Sequence, residues 1–180
     1  MTEVDHGFPI LGSFEDLFSL NSLKDKSFLL TMGDSKIRAE LSQKIIERKG
    51  SVPTLIHPTS VISQFAKISP TGVYISAFSF VQADSTIGNN TIILSHVNIS
   101  HTTSIGSGCF IAGGAAVGAY TNVENNVFMG QGALSISSKV KTIGHHSYIG
   151  ARALLTHDVE PYSVMVGIPA KPYKKGSSLS

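Results

Sequence analysis

Residues 75 to 129 read ISAFSF VQADST IGNNTI ILSHVN ISHTTS IGSGCF IAGGAA VGAYTN VENNVF M, with an aliphatic residue at the head of every hexad. This period fits neither an amphipathic helix, which repeats about every 3.6 residues, nor a strand of alternating character. A fixed internal period indicates a solenoid. We expect each hexad to form one short strand and one corner, so that three hexads complete a triangular coil.

The hexads continue on both sides of this stretch. The head residue is predicted to point inward, and the residue two before it is usually small or β-branched, which suits a narrow interior. The glycine that often follows the head is expected to supply an unusual φ at a tight corner. The pattern predicts a mainly β fold, a left-handed parallel β-helix over residues 51–160; the handedness is typical of hexads and departs from the usual crossover rule. The further heads are Ile56, Ile62, Ile68, Ile136, Ile143, Ile149 and Leu155, with one-residue slips after 68, 129 and 136.

Residues 1–50 lack the hexad and are predicted to form a small, partial α/β subdomain. A short helix is expected over 13–20, with Ser13 as its N-cap and Asp16 three residues later. A buried strand is predicted over 27–32, followed by a helix over about 36–48 that Gly50 ends. Residues 161–180 are predicted to be a C-terminal cap and tail along the last coils.

Composition excludes several classes of function. The net charge is +2, and the basic residues form no cluster beyond Lys171, Lys174 and Lys175, which argues against nucleic-acid binding. Cys109 is the only cysteine and occupies a small-residue position of the repeat, so its expected role is packing. We expect no membrane insertion and a cytoplasmic location, because no apolar run is long enough for a span and MTEVDHGF lacks signal-peptide character.

Five phrases together resemble the NeuD/PglD-type bacterial sugar acetyltransferases of the hexapeptide-repeat acyltransferase superfamily. Hexads alone are shared by many acyltransferases and by some proteins that are not enzymes. The N-terminal phrase in combination with the hexads is much more specific. The phrases are FPILGSFEDL (8–17), LLTMGDSKIR (29–38), LIHPTSVIS (55–63), ISHTTSIG (99–106) and YIGARALLTHDVEPYSVMVGIPAKP (148–172).

The resemblance implies transfer of an acetyl group from acetyl-CoA to an amine or hydroxyl of a sugar, often nucleotide-linked, in surface-glycan biosynthesis. It implies a homotrimer with each active site between two neighbouring prisms. His101 matches the general base, and a backbone N–H at Ala119, one coil above, matches the oxyanion donor. The positions that match the walls of the CoA site are Gly118, Ala119, Gln131, Ala151 and Lys171.

The chain departs from the family pattern at several positions. Thr102 follows the base where the family usually has Asp or Glu to orient the imidazole. The first strand, the Gly-rich loop and the second strand of the family's nucleotide-binding domain are not found ahead of the hexads, which favours a free or lipid-linked acceptor. Other departures are Leu94, Phe110, Ala119 and Arg152.

Two other functions stay open at this stage. One is a shortened, non-catalytic or regulatory trimer. The other is a γ-class carbonic anhydrase, because His96 and His101 have a spacing seen in its zinc-binding segment. A catalytic zinc normally needs three protein ligands. The third histidine would be expected near Ser60, where only His57 is close, so no metal is predicted.

Overall fold

The computed structural model describes residues 4–173. The predicted left-handed parallel β-helix is confirmed, with about six turns and three flat faces. Consecutive coils pair in parallel at the predicted spacing, so that Asn98 and Ile99 lie beside Ala116 and Val117. Two short strands and two helices precede the β-helix: β1 (Val4–Asp5), β2 (Phe8–Pro9), α1 (Phe14–Ser19) and α2 (Ser35–Glu47).

The coil strands follow in chain order as β3 (Leu55–Ile56), β4 (Val61–Ile62), β5 (Lys67–Ile68), β6 (Tyr74–Ile75), β7 (Phe80–Val81), β8 (Thr86–Ile87), β9 (Ile92–Ile93), β10 (Asn98–Ile99), β11 (Ser104–Ile105), β12 (Phe110–Ile111), β13 (Ala116–Val117), β14 (Asn122–Val123), β15 (Phe128–Met129), β16 (Leu134–Ser135), β17 (Thr142–Ile143), β18 (Tyr148–Ile149), β19 (Leu154–Leu155), β20 (Val164–Val166) and β21 (Lys171–Pro172).

Each face is one sheet. Face 1 contains β3, β6, β9, β12, β15, β18, β20 and β21; face 2 contains β4, β7, β10, β13, β16 and β19; face 3 contains β5, β8, β11, β14 and β17. The turn from a strand of face 1 to the next strand, in face 2, is called corner 1–2. Corner 2–3 and corner 3–1 are the turns from face 2 to face 3 and from face 3 to face 1. In the segment predicted to be a cap, β20 continues face 1 in parallel with β18, and β21 pairs with β20 antiparallel. The remainder of the predicted tail lies outside the described residues.

The interior is built from two ladders of inward side chains. The hexad heads form the apolar ladder, and those from Ile75 to Met129 are all buried. The residues two before them form a hydroxyl ladder, in which Ser79, for example, donates to the carbonyl of Leu94, fifteen residues on. This pattern explains why small hydroxyl residues recur in the interior: each satisfies a carbonyl that would otherwise lack a partner. Ser85, Thr91 and Thr103 make the same bond at the same spacing.

Cys109 takes one of these hydroxyl positions, with Sγ 3.1 Å from the carbonyl of Glu124. Burial raises the pKa of its thiol from 9.0 to about 11, which supports a packing role because a neutral thiol is a poor nucleophile. In the unfolded chain the thiol ionises at the lower value. The folded state should therefore lose about 2–3 kcal/mol of stability, relative to a chain without the thiol, between pH 9 and 11.

The Cys109→Ser variant tests this expectation, because serine reproduces the ladder's hydrogen bond. We expect wild type and variant to differ by a constant amount up to about pH 8 in urea unfolding. Above that pH the wild type should lose stability relative to the variant. A pH-independent difference between the two would contradict the raised pKa.

The prediction that Ile136 heads a hexad is wrong. Ser135 is the inward residue of β16 and is buried, whereas Ile136 is only half-buried. Six residues separate Met129 from Ser135, so the register does not slip there. The two extra residues of this coil lie together at corner 2–3, between β16 and β17. The prediction failed because the inward residue, Ser135, is polar, whereas its neighbour Ile136 has the aliphatic character expected of a hexad head.

The expected role of the corner glycines is also wrong. The glycines after the hexad heads, such as Gly106 and Gly118, do not adopt positive φ. A Cβ at Gly118 would lie 2.5 Å from the backbone nitrogen of Ser137 in the next coil. These glycines are needed because neighbouring coils approach closely. The left-handed conformation occurs two residues later, where Asn90, Thr102 and Tyr120 adopt it.

The N-terminal residues pack as a small unit against corner 3–1. The helix prediction is confirmed for α1, where Ser13 and Asp16 form a complete capping box, and for α2, which Asp34 caps. The predicted strand over 27–32 is wrong: the segment makes a single parallel bridge, between Ser27 and Ser51. Within residues 4–173 it has no neighbouring strand with which it could form a sheet. Neither helix could span a membrane.

Arg38 joins this unit to the β-helix. Its side chain is fully buried on α2, and burial lowers the pKa of the guanidinium. It donates to the carbonyls of Met32 and Gly33 within the N-terminal unit, at 2.7 and 3.2 Å. It also donates to corner 3–1, reaching the carbonyls of Asn90, Gly108 and Cys109.

Candidate active site

His101 lies at corner 2–3, directly after β10, and its side chain is exposed. Its Nδ1 is 3.2 Å from the hydroxyl oxygen of Thr102, and its ring packs edge-on against Tyr120 with centroids 5.1 Å apart. The backbone N–H of His101 donates to Oε1 of Gln82 in the coil below. If Nδ1 donates to Thr102, the other nitrogen, Nε2, is left as an acceptor, as a general base requires.

Ala119 lies one coil above His101, as the spacing predicts. The carbonyl of His101 accepts from the N–H of Tyr120, which shows that the two corners are in contact. The N–H of Ala119 donates to the hydroxyl of Ser137 at 3.0 Å, and the N–H of Gly118 donates to the hydroxyl of Ser135 at 2.9 Å. Ser137 lies in the turn that contains the two extra residues of its coil, and the sequence analysis predicted the wrong position for these residues.

Gln131 and Ala151 lie on a different edge of the prism, corner 1–2. They line a shallow trough of about 360 Å³, which we call the donor channel. The other lining residues are Gly113, Gly114, Gly132 and Arg152. Lys171 lies on β21, in face 1, and is not part of this lining. Within one chain the predicted residues are therefore separated, because His101 lies at corner 2–3 whereas Gln131 and Ala151 lie at corner 1–2.

The structure also shows features that the sequence reading did not single out. A polar groove of about 610 Å³ runs along face 3 to corner 3–1, lined by Glu124, His145 and Tyr162 among others. Tyr162 stacks on His146, and a carboxylate oxygen of Glu124 accepts from the N–H of His145. Tyr120 beside His101 is a further such feature, and only the geometry of the corner identifies it.

The zinc alternative gains no support from the described part of the chain. Among residues 4–173, no three His, Cys, Asp or Glu side chains are grouped so that they could hold a metal ion. His96 instead packs its ring against Phe78, with centroids 5.2 Å apart. Ser60, near which the third histidine would be expected, donates its hydroxyl to the carbonyl of Ser76.

Comparison with known proteins finds similarity to sugar acetyltransferases. A variant of perosamine N-acetyltransferase from Caulobacter crescentus, in complex with CoA and GDP-perosamine, superposes with a TM-score of 0.89 at 26% identity, over 97% of this chain and 81% of that one. GDP-perosamine N-acetyltransferase from Escherichia coli O157:H7 is 27% identical over 129 residues, 72% of this chain and 57% of that protein. The predicted resemblance to the bacterial sugar acetyltransferases is confirmed.

The likeness in fold extends to a further solved structure. WeeI from Acinetobacter baumannii shares the fold with a TM-score of 0.86 at 21% identity, over 95% of this chain and 81% of that one. The Caulobacter crescentus variant and PerB from the same organism, which superposes with a TM-score of 0.87 at 27% identity over 94% of this chain and 80% of that one, both contain CoA, the carrier of the acetyl group in the donor that the resemblance implied. The chain spans between 25% and 57% of the length of the curated relatives that it matches. No protein-family model matches the chain.

Proposed function

We propose that this protein is an acetyl-CoA-dependent acetyltransferase that acetylates an amine or hydroxyl of a sugar of the amino-sugar or sialic-acid type, in bacterial surface-glycan synthesis. The observation that carries the proposal is the likeness, over nearly the whole chain, to a CoA-bound sugar N-acetyltransferase. The exposed imidazole of His101 at a corner of that same fold supplies the base.

The proposed reaction is direct transfer. Nε2 of His101 removes a proton from the sugar amine or hydroxyl as this group attacks the thioester carbonyl. The tetrahedral intermediate then expels the CoA thiolate, which takes the proton from His101. A positioned base of this kind typically contributes roughly 10²–10⁴-fold. Thr102 holds Nδ1 in place of the usual carboxylate and orients the ring without adding negative charge.

The oxyanion donor is proposed to be the pair formed by Ala119 and Ser137. The hydroxyl of Ser137 accepts from the N–H of Ala119 and keeps its own proton to donate. The donor to the intermediate is then either this hydroxyl or, after the Ser137 side chain turns about its Cα–Cβ bond and releases it, the N–H itself. Donors of this kind stabilise charge that develops in the transition state.

A homotrimer explains why the base and the donor channel lie on different corners. His101 of one subunit would meet the donor channel of its neighbour across face 2. Face 2 presents the exposed apolar side chains of Val61, Phe80 and Leu134, whereas face 3 presents Lys67 and Thr142 and suits contact with water. Packing through face 2 would bury this apolar surface and complete the site.

The test is a thiol-release assay with acetyl-CoA and a panel of acceptors: free amino sugars, sialic acids and nucleotide-linked amino sugars including GDP-perosamine. We expect acceptor-dependent release of CoA by a species whose mass in light scattering is that of a trimer. Release of CoA with the free sugars, and not only with the nucleotide-linked ones, would show that the acceptor site does not need a nucleotide.

The second candidate is a non-catalytic trimer that binds CoA without turning it over. Two observations favour it: a threonine stands where an acidic residue would orient the base, and Ser137 already accepts the N–H of Ala119. Calorimetric titration with CoA separates the candidates. Binding without release of thiol for any acceptor would favour the second candidate, and no binding would reject both.

A further inference from the structure

We propose that Arg152 binds a phosphate group of the acyl donor, so that the donor channel selects phosphorylated pantetheine thioesters. The inference rests on the proposed function, because it takes the trough at corner 1–2 as the site of the CoA arm. It goes beyond the family resemblance, since Arg152 stands where that pattern often has glycine.

The channel exists because side chains are missing from one column of the corner. Successive coils place Phe78, His96, Gly114, Gly132 and Arg152 at the same left-handed position. A Cβ at Gly114 would meet no atom within 4 Å, so the space above it is open. The two glycines therefore leave a gap two coils long, with His96 below it and Arg152 above.

Arg152 bends into this gap. A Cβ at Gly132 would lie 3.5 Å from Cγ of Arg152, so the aliphatic stem covers the glycine of the coil below. The guanidinium forms no ion pair with a carboxylate within residues 4–173. It lines the channel together with Gln131, whose amide can also donate hydrogen bonds. This end of the channel therefore presents a positive charge and N–H donors without an acidic partner.

The fold itself does not require arginine at this position. The φ of Arg152 is +54°, a conformation that glycine adopts without steric cost. The acetyl-pantetheine part of a donor is uncharged, so an arginine in the channel has an ionic partner only at a phosphate. That phosphate is either part of the diphosphate of CoA or the phosphate on its ribose.

Calorimetry with three ligands tests the proposal: CoA, dephospho-CoA, which lacks the ribose phosphate, and pantetheine, which has no phosphate. We expect Arg152→Gly to raise the Kd for CoA about five- to tenfold, as suits a solvent-exposed charge pair. The Kd for pantetheine should not change. Arg152→Lys should restore part of the affinity, because it keeps the charge but not the planar fork.

The glycine variant should be at least as stable as the wild type, so weaker binding would not reflect unfolding. Lys67→Ala, on face 3 of the first coil, removes an exposed positive charge far from the channel and should leave the Kd unchanged. If the effect of Arg152→Gly disappears with dephospho-CoA, the ribose phosphate is the partner. If it persists there and disappears with pantetheine, the diphosphate is the partner.

Two results would overturn the inference in distinguishable ways. Wild-type protein that binds CoA, with an Arg152→Gly variant that binds it equally or more tightly, would overturn the role of Arg152 and leave the proposed function standing. Wild-type protein that does not bind CoA would overturn both.

Discussion

His101→Ala is expected to lower kcat for acetyl transfer by about 10²–10⁴-fold and to leave the KM for acetyl-CoA nearly unchanged. The imidazole accepts a proton only as the sugar attacks, so its removal weakens the transition state and not the binding of the donor. His101 is not among the residues that line the donor channel, which is why the two kinetic constants should separate. Steady-state measurement of thiol release checks both constants.

His57 provides a matched control. It is an exposed histidine in the first coil, and its Nδ1 lies 2.9 Å from the hydroxyl of Thr59, much as Nδ1 of His101 contacts Thr102. His57→Ala should therefore keep wild-type activity. If the His101→Ala variant kept wild-type activity, His101 would be rejected as the base. If both variants lost activity to the same extent, the loss would point to an effect on folding.

The geometry of the candidate base follows from the sequence because the solenoid has a fixed period. Counting eighteen residues from His101 predicts its contact with the corner that contains Ala119, and the backbone bond between these corners agrees. The same count fails in the coil of Ser135. There the apolar residue Ile136 directly follows the inward residue Ser135, and the local pattern is compatible with either of them as the hexad head. Only stacking against Val117 and Leu155 decides between them, and that information lies in other coils.

Contacts made between distant parts of the chain could not be predicted in this way. The sequence shows Ser137 as one of several polar residues in a loop. Its bond to Ala119 depends on where the two extra residues of the coil are placed. The bend of Arg152 over Gly132 likewise depends on a neighbouring coil that is displaced by twenty residues. The hexad pattern defines the position of a backbone corner. The direction of a long side chain there depends on the space left by the side chains of the adjacent coil.

Arg38 is the clearest case of such a contact, and it leads to the largest expected change in stability. Nothing in the pattern of α2 distinguishes this arginine from an exposed one, yet it is fully buried. The carbonyl of Cys109 also accepts from the N–H of Ile92 and would keep that bond without Arg38. The carbonyls of Met32, Gly33, Asn90 and Gly108 depend on the guanidinium.

Arg38→Met should therefore lower the free energy of unfolding by about 3–5 kcal/mol. Methionine relieves the cost of burying a charge, but a buried carbonyl left without a donor costs about 1–3 kcal/mol. Only the bond to Gly108 is fully buried and the other three are partly buried, but the simultaneous loss of four bonds outweighs that relief even where water replaces the donor. Arg38→Lys should recover little, because one ammonium group cannot reproduce the fork that reaches both sides of the junction.

Lys36→Met is the control, because Lys36 is exposed on the same helix and its substitution should change stability by no more than about 0.5 kcal/mol. Urea unfolding measures all three variants, and hydrogen exchange of the amides in α2 shows where the loss occurs. We expect faster exchange throughout α2 in Arg38→Met, while the amides between β10 and β15 remain protected, since the backbone bonds between these coils form without this side chain. If Arg38→Met were as stable as Lys36→Met, the guanidinium would not be what joins the N-terminal unit to corner 3–1.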